Sequence, residues 1–329
     1  MGGHFGAEKT YERISRKYRW KGMKKQIEEY VKKCETCQKT KYGGGIKMPL
    51  TIVEVAEKPF EKIYIDLVGP LPVSIGGNKY ILSMVDDLTR FVEFAAIPDA
   101  TAETVARALF EQILFRYAIP RIIVSDNGTN FISKVFYKLC KLLRIKKINT
   151  TPYHPQANLV ERQHSSLGNY LRSFAKDQST SWDQFLRTAA HAYNNTKHSG
   201  TGKTPMEMLF GFVSEKPSNL KRDPAPLYNH DSYCEELRFK MQKCHLEAKR
   251  HLLQRKVSSK TYYDKSANPT RFEIGDRVLL KDPVRRSKLA PIWLGPFVVC
   301  QINGETNTTI RQNGKLKIIH NNRLKHYHD

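Results

Sequence analysis

The chain has 329 residues, which suits two or three domains better than one small core. Its 55 Lys and Arg outnumber 32 Asp and Glu, leaving +23 with a pI near 9.7, so polyanions are the expected partners. No apolar run approaches the ~18–20 residues of a spanning helix and the N-terminus is polar and glycine-rich, which argues against a membrane partner or signal peptide and for a soluble, intracellular protein.

The charge is uneven: +7 over residues 1–42, +6 over the much longer 43–227 and +10 over 228–329. The ends are therefore the expected binding regions. Of six cysteines only Cys34 and Cys37 are close enough to form a motif, and the set does not read as a secreted disulfide framework.

In chain order, the first segment reads as two short helices, about 7–17 and 23–33, delivering Cys34-x2-Cys37. "KYGGGIKMPLTIVEVAEKP" has no helical period and reads as a linker. From Phe60 strands and helices alternate. "KIYIDLVGPL", "YILSMVDDLTRFVEFAAI", "RIIVSD" and "KKINTT" read as strands. "TAETVARALFEQILFRY" opened by Thr101, "SKVFYKLCKLLRI", "VERQHSSLGNYLRSFAKD" and a stretch near 182–194 read as helices. That alternation argues for one mixed α/β domain. After a second linker, 232–264 has helical composition, and four strand patterns punctuated by Gly, Pro and Asn-Gly turns suggest a small β-barrel.

Three carboxylates stand out by position. Asp66 follows the alternating "KIYI", Asp126 ends the buried run "RIIVS", and Glu161 opens a helix behind the loop "TPYHPQANLV". Singly, each has an ordinary reading: a strand-end charge, a turn former before Asn127-Gly128, an acid at a helix N-terminus. Together they make an all-oxygen set suited to two Mg²⁺ (or Mn²⁺) ions and to phosphodiester chemistry. Asp86 and Asp87 read as structural residues of a hairpin turn.

At these residues the sequence resembles the integrases of gypsy-class LTR retrotransposons and, more distantly, retroviral integrases. The matching motifs are "IYIDLVGPLP", "IVSDNGTNFIS", "YHPQANLVERQHSSLGNYLR", "TGKTPMEMLFGF", "KLAPIWLGPFVV" and "IHNNRLKHYH", which together span almost the whole chain. The resemblance implies a multidomain α/β protein: a ribonuclease-H-like mixed-sheet core flanked by a small helical zinc-type N-terminal module and a C-terminal SH3-like β-barrel. It implies Asp66, Asp126 and Glu161 as the Mg²⁺-dependent catalytic triad of a nuclear polynucleotidyl transferase. Such an enzyme trims element DNA ends, joins their 3′ hydroxyls to target DNA and assembles as a homo-oligomer on double-stranded DNA. The expected segments are 1–42 (zinc-type module), 43–57 (linker), 58–212 (catalytic core), 213–268 (linker and basic helix) and 269–329 (GPY/F-type barrel).

His4, Cys34 and Cys37 resemble the family's His-His-Cys-Cys module, and their thiolate and imidazole donors suit Zn²⁺. The family's other histidine lies further upstream, so the chain reads as an integrase begun late. "LGPF" at 294–297 resembles the GPY/F module, with Arg277, Lys281, Arg285, Arg286 and Lys288 as expected DNA contacts. Arg271, Lys315, Lys317, Arg323 and Lys325 belong to the same basic set. His154 and His164 flank the third carboxylate, and the two-metal scheme requires neither.

Two departures bear on activity. The spacer between Asp126 and Glu161 holds 34 residues, one fewer than the family's usual pattern, and Asn158 is followed directly by Leu159 where the family has glycine. With the helix start fixed, such a deletion rotates Glu161 by about a third of a helical turn, whereas a shifted helix start absorbs it and leaves the carboxylate in place. The competing readings are a DNA-binding protein descended from an integrase, and a nuclease of the same fold that does not join strands. Metal-dependent strand transfer separates them.

Overall fold

The computed structural model describes residues 3–43, 45–50, 52, 54–150, 160–174, 180–212, 230–282, 287, 290–312 and 314–329; the side chains of 160–162 and 230–232 also lie outside it. The chain divides into two compact units, Ile52–Ser259 and the pair Met1–Thr51 with Lys260–Asp329.

The first of these is built on a five-stranded sheet ordered β3-β2-β1-β4-β5. Strands β1 (Lys62–Val68), β2 (Tyr80–Asp86) and β3 (Val92–Ile97) pair antiparallel, whereas β4 (Ile122–Ser125) and β5 (Lys146–Asn149) run parallel to β1. Parallel neighbours need crossovers, and these are helical. Helix α4 (Ala102–Leu109, continued by a π turn at Phe110–Leu114) leads into β4, and α5 (Lys134–Leu142) into β5. Both start where a hydroxyl accepts an orphan backbone N–H: Thr101 from Thr104, Ser133 from Phe136.

The strands are covered on both faces. Ile63, Ile65, Leu82 and Met84 pack with Val105, Leu109 and Phe136 on the α4/α5 side. Tyr64, Ile81, Val85 and Val124 pack with Leu167, Trp182 and Leu186 on the other. The second layer comes from α6 (Val160–Phe174), a 3₁₀ turn (Trp182–Phe185) and α7 (Leu186–Asn194). A short α8 (Pro205–Phe210) follows, and Val55 and Ala56 join Leu88, Met208, Ala248 and Leu252 in a satellite core beneath α9 (His230–Asp264).

Asp86 and Asp87 are structural, and deeply so. Asp86 accepts hydrogen bonds from Phe60 N (2.8 Å), Thr89 N (2.7 Å) and Thr89 Oγ1 (2.6 Å). Burial pushes its carboxyl up to about 6 while those bonds pull it back down. Asp87 accepts from Ala56 N at 2.9 Å and lies 3.6 Å from Lys62 Nζ and 3.7 Å from Arg90 Nη1.

In the second unit, α1 (Ala7–Ser15), α2 (Met23–Lys33) and α3 (Glu35–Thr40) accompany an all-antiparallel sheet ordered β10-β6-β7-β8-β9. Its strands are β6 (Arg277–Lys281), β7 (Trp293–Asn303), β8 (Asn307–Gln312), β9 (Lys315–His320) and β10 (Leu324–His326). "KIIHNNRLKHY" is thus two strands, not one: the His320 side chain accepts from Asn322 N and caps a 3₁₀ turn between them. Ile46 and Met48 enter the core formed by Phe272, Val278, Leu280, Val299 and Ile310. Gln38 of α3 donates to His328 O (2.8 Å) and accepts from His328 N (3.0 Å), while Lys325 Nζ donates to Gln38 O (2.5 Å).

Replacing Asp86 with alanine strands the buried donors of Phe60 and Thr89, so Asp86→Ala is expected to destabilise the α/β unit by roughly 2–4 kcal/mol. Denaturant unfolding followed by tryptophan fluorescence measures this through Trp182.

Candidate active site and zinc-type cluster

The β1–β4 register pairs Lys62 with Ile122, Ile63 with Ile123 and Tyr64 with Val124. Carried two residues further it sets Asp66 level with Asp126, and strand alternation puts both on the face of Tyr64 and Val124, the face covered by α6 and α7. Asp66 is not at the end of its strand, since β1 continues to Val68; Asp126 lies just past the end of β4.

Local hydrogen bonds fix both residues. Leu67 N donates to Asp66 Oδ1 (2.8 Å), and Gly128 N donates to Asp126 Oδ1 (2.9 Å) in a tight turn. A Cβ at Gly128 would lie 2.7 Å from Asn130 Oδ1 and 3.1 Å from Asp126 Oδ1, so a larger residue here would require the ends of these two side chains to shift. Asn127 Nδ2 ties the turn to Thr150 O (3.0 Å). Lys147 Nζ, on β5, donates to Ser125 Oγ (2.5 Å) and Asn149 Oδ1 (2.8 Å). Burial lowers the Lys147 ammonium to about 8, offset in part by Cys140 and Asp126.

The third position is reached through α6. Residue 161 belongs to its first turn, and His164 stands one turn further on. His164 Nε2 lies 3.1 Å from Ser83 Oγ and Nδ1 3.9 Å from Asp66 Oδ2. Burial pushes the imidazole down to about 4, so near neutral pH it is uncharged and the 3.9 Å approach to Asp66 is not an ion pair. The Glu161 side chain, His154 and the shortened loop at 158–159 lie outside the described residues, as do Arg285, Arg286 and Lys288. Sequence reasoning missed Ser83 and Lys147 and named Gly128 only as part of a turn. The available signal for Ser83 was a serine inside the otherwise apolar β2, whereas Lys147 sits in the polar sequence of β5 and gave none.

Oxygen donors alone, level in register on one sheet face, fit hard divalent cations. The N-terminal cluster offers a different chemistry. His4 Nδ1 is 3.4 Å from Cys34 Sγ and 3.6 Å from Cys37 Sγ, and the three donor atoms all lie within 4.8 Å of one another. Cys34 occupies the N-cap position of α3 and Cys37 sits one turn inside the helix, which brings the two sulfurs together. Burial raises the Cys37 thiol, with Cys34 adding to the rise. One imidazole and two thiols fit Zn²⁺.

In the barrel, Arg277 and Lys281 are exposed at the two ends of β6; Arg277 pairs with Asp329 and lies 4.8 Å over the Tyr327 ring. Lys325, counted above among the surface bases, is instead buried, with its ammonium over Trp293. Among the described residues no helix is long and apolar enough to cross a membrane.

Comparison with known proteins agrees with this geometry. Residues 1–43 match the integrase zinc-binding domain and residues 56–155 the integrase core domain. The fold over 98% of the chain is similar to 95% of a chain of the simian T-cell lymphotropic virus intasome solved with PP2A regulatory subunit B56 gamma (TM-score 0.57, 16% identity). The chain thus carries an integrase zinc-binding domain followed by an integrase core domain. Its relatives are retrovirus-related and transposon polyproteins, consistent with the gypsy-class LTR retrotransposon resemblance of its motifs. It is 35% identical, over its full length, to 27% of the retrovirus-related Pol polyprotein from transposon 412 of Drosophila melanogaster. It is 29% identical, over 92% of its length, to 23% of the transposon Tf2-3 polyprotein of Schizosaccharomyces pombe. It thus spans about a quarter of the length of these relatives.

Cobalt substitution tests the cluster. The Co²⁺-loaded chain should show a thiolate-to-metal charge-transfer band that Cys37→Ser reduces, and the affinity should fall as pH drops and the thiols reprotonate.

Proposed function

We propose that the chain processes the 3′ ends of element DNA and joins them to target DNA, acting in the nucleus as a homo-oligomer on double-stranded DNA. The observation that carries this reading is the parallel β1–β4 register, which, extended by two residues, sets Asp66 level with Asp126 on the sheet face that α6 covers. With Glu161 as the third ligand, these residues would hold two Mg²⁺ (or Mn²⁺) ions, which supply charge neutralisation and nucleophile activation at a phosphodiester. The protein's own part is placement. Asp126 is presented at the rim by its turn with Gly128, and Asp66 is held inside β1, half-buried beneath α6. His4, Cys34 and Cys37 would hold Zn²⁺ as a structural ion in the N-terminal module.

The exposed bases of the barrel, Arg277 and Lys281 with Lys315 and Lys317, contact phosphates and give largely sequence-independent, salt-sensitive affinity. Because the barrel shares a unit with residues 1–51, point substitutions test this better than truncation. Arg277→Ala with Lys281→Ala should reduce the slope of log affinity against log salt by about 2. An unchanged slope removes the barrel from the DNA surface.

The decisive assay is strand transfer of a pre-processed DNA end with Mg²⁺. Asp126→Asn should abolish joining and leave DNA affinity and melting temperature nearly unchanged. Joining that survives Asp126→Asn refutes the assignment. A wild-type chain that binds DNA and never joins it identifies an integrase-derived binding protein.

A further inference from the structure

His164 has no task in the two-metal reading, yet it makes a polar link from α6 to the aspartate face. Ser83 is fully buried and is the cross-strand partner of Asp66 in the β1–β2 ladder. A buried hydroxyl requires a partner, and His164 Nε2 provides one at 3.1 Å. The other ring nitrogen, 3.9 Å from Asp66, is beyond hydrogen-bond distance, so the anchor is the serine.

We propose that His164 is a positioning residue: held on Ser83, it fixes the first turn of α6 against β1 and β2 and so sets where Glu161 stands relative to Asp66. The proposal rests on the reading of Asp66, Asp126 and Glu161 as metal ligands. The first turn of a helix lacks the backbone bonds that hold later turns, so tertiary contacts must locate it. Leu167, one turn further, is buried in the apolar layer, but apolar contact is non-directional and tolerates sliding or rotation. A one-residue change of register rotates a helical side chain by about 100° and removes it from a shared site. The His164–Ser83 bond is directional. It is backed by Gln163, whose Nε2 donates to the Tyr193 hydroxyl at 3.2 Å and ties the same turn to α7.

The test uses the full chain and four variants: His164→Ala, His164→Gln, Ser83→Ala and the double alanine. Mn²⁺ binding is read by electron paramagnetic resonance, alongside strand transfer, DNA affinity and melting temperature. His164→Ala should weaken Asp126-dependent Mn²⁺ binding and slow joining by about tenfold or more, with DNA affinity and melting nearly unchanged. The amide of His164→Gln reaches where Nε2 stood and should restore most of both. Ser83→Ala should match His164→Ala, and the double variant should be no worse than either. Unchanged Mn²⁺ binding in His164→Ala, additive losses in the double variant, or a loss confined to DNA affinity overturns the proposal. If His164→Ala fails to fold, the glutamine and serine variants decide. Wild-type Mn²⁺ binding that ignores Asp126→Asn defeats the metal-site reading and this proposal with it. Asp126-dependent binding without joining defeats only the enzymatic reading.

Discussion

The parallel pairing of β1 with β4 is the constraint on which the site depends. Asp126 follows Asp66 by 60 positions in the chain, and this register, carried two residues on, brings them level on one face. The pairing joins distant parts of the chain, so it carries a loop-closure cost that burial must offset. The apolar layers on both faces do so, with Ile63, Ile65 and Ile123 on one side and Tyr64 and Val124 on the other. Slippage by one residue would turn Asp126 to the opposite, apolar face, where a charged carboxylate is strongly disfavoured. The same core packing that stabilises the sheet therefore specifies the aspartate pair.

The second unit follows a different logic. Its helical module is small, and its core is supplemented from two directions: the His4–Cys34–Cys37 cluster at one end of α3, and the barrel strands that receive Gln38, Ile46 and Met48. Metal binding to such a cluster is folding free energy. The Gln38–His328 and Lys325–Gln38 bonds start one residue after Cys37, so metal loading and the packing of α3 on the barrel are physically adjacent.

Long periodic elements were legible in the sequence, including α1, α2, α5, α6 and the strands around both aspartates, because each combines a clear apolar period with a capping or turn residue. Helix α3 was not. Six residues are too few for a period, and Cys34-x2-Cys37 read as a metal motif without its helix. Buried and half-buried lysines were equally hidden. Net charge assigns every Lys to the open surface, yet Lys325 is buried and Lys147 and Lys256 are half-buried, and burial lowers each of the three to about 8. Ser83 and His164 became meaningful only once the β1–β2 register set the serine opposite Asp66. No periodicity encodes that pairing.

The central claim is that Asp66 and Asp126 share a divalent-metal site with Glu161. Anomalous scattering from a crystal of the chain soaked in Mn²⁺ tests it directly. The account predicts manganese bound by carboxylate oxygens of both Asp66 and Asp126, with Glu161 completing the site. Manganese found only elsewhere on the surface, with the Asp66–Asp126 face empty at saturating metal, would contradict it.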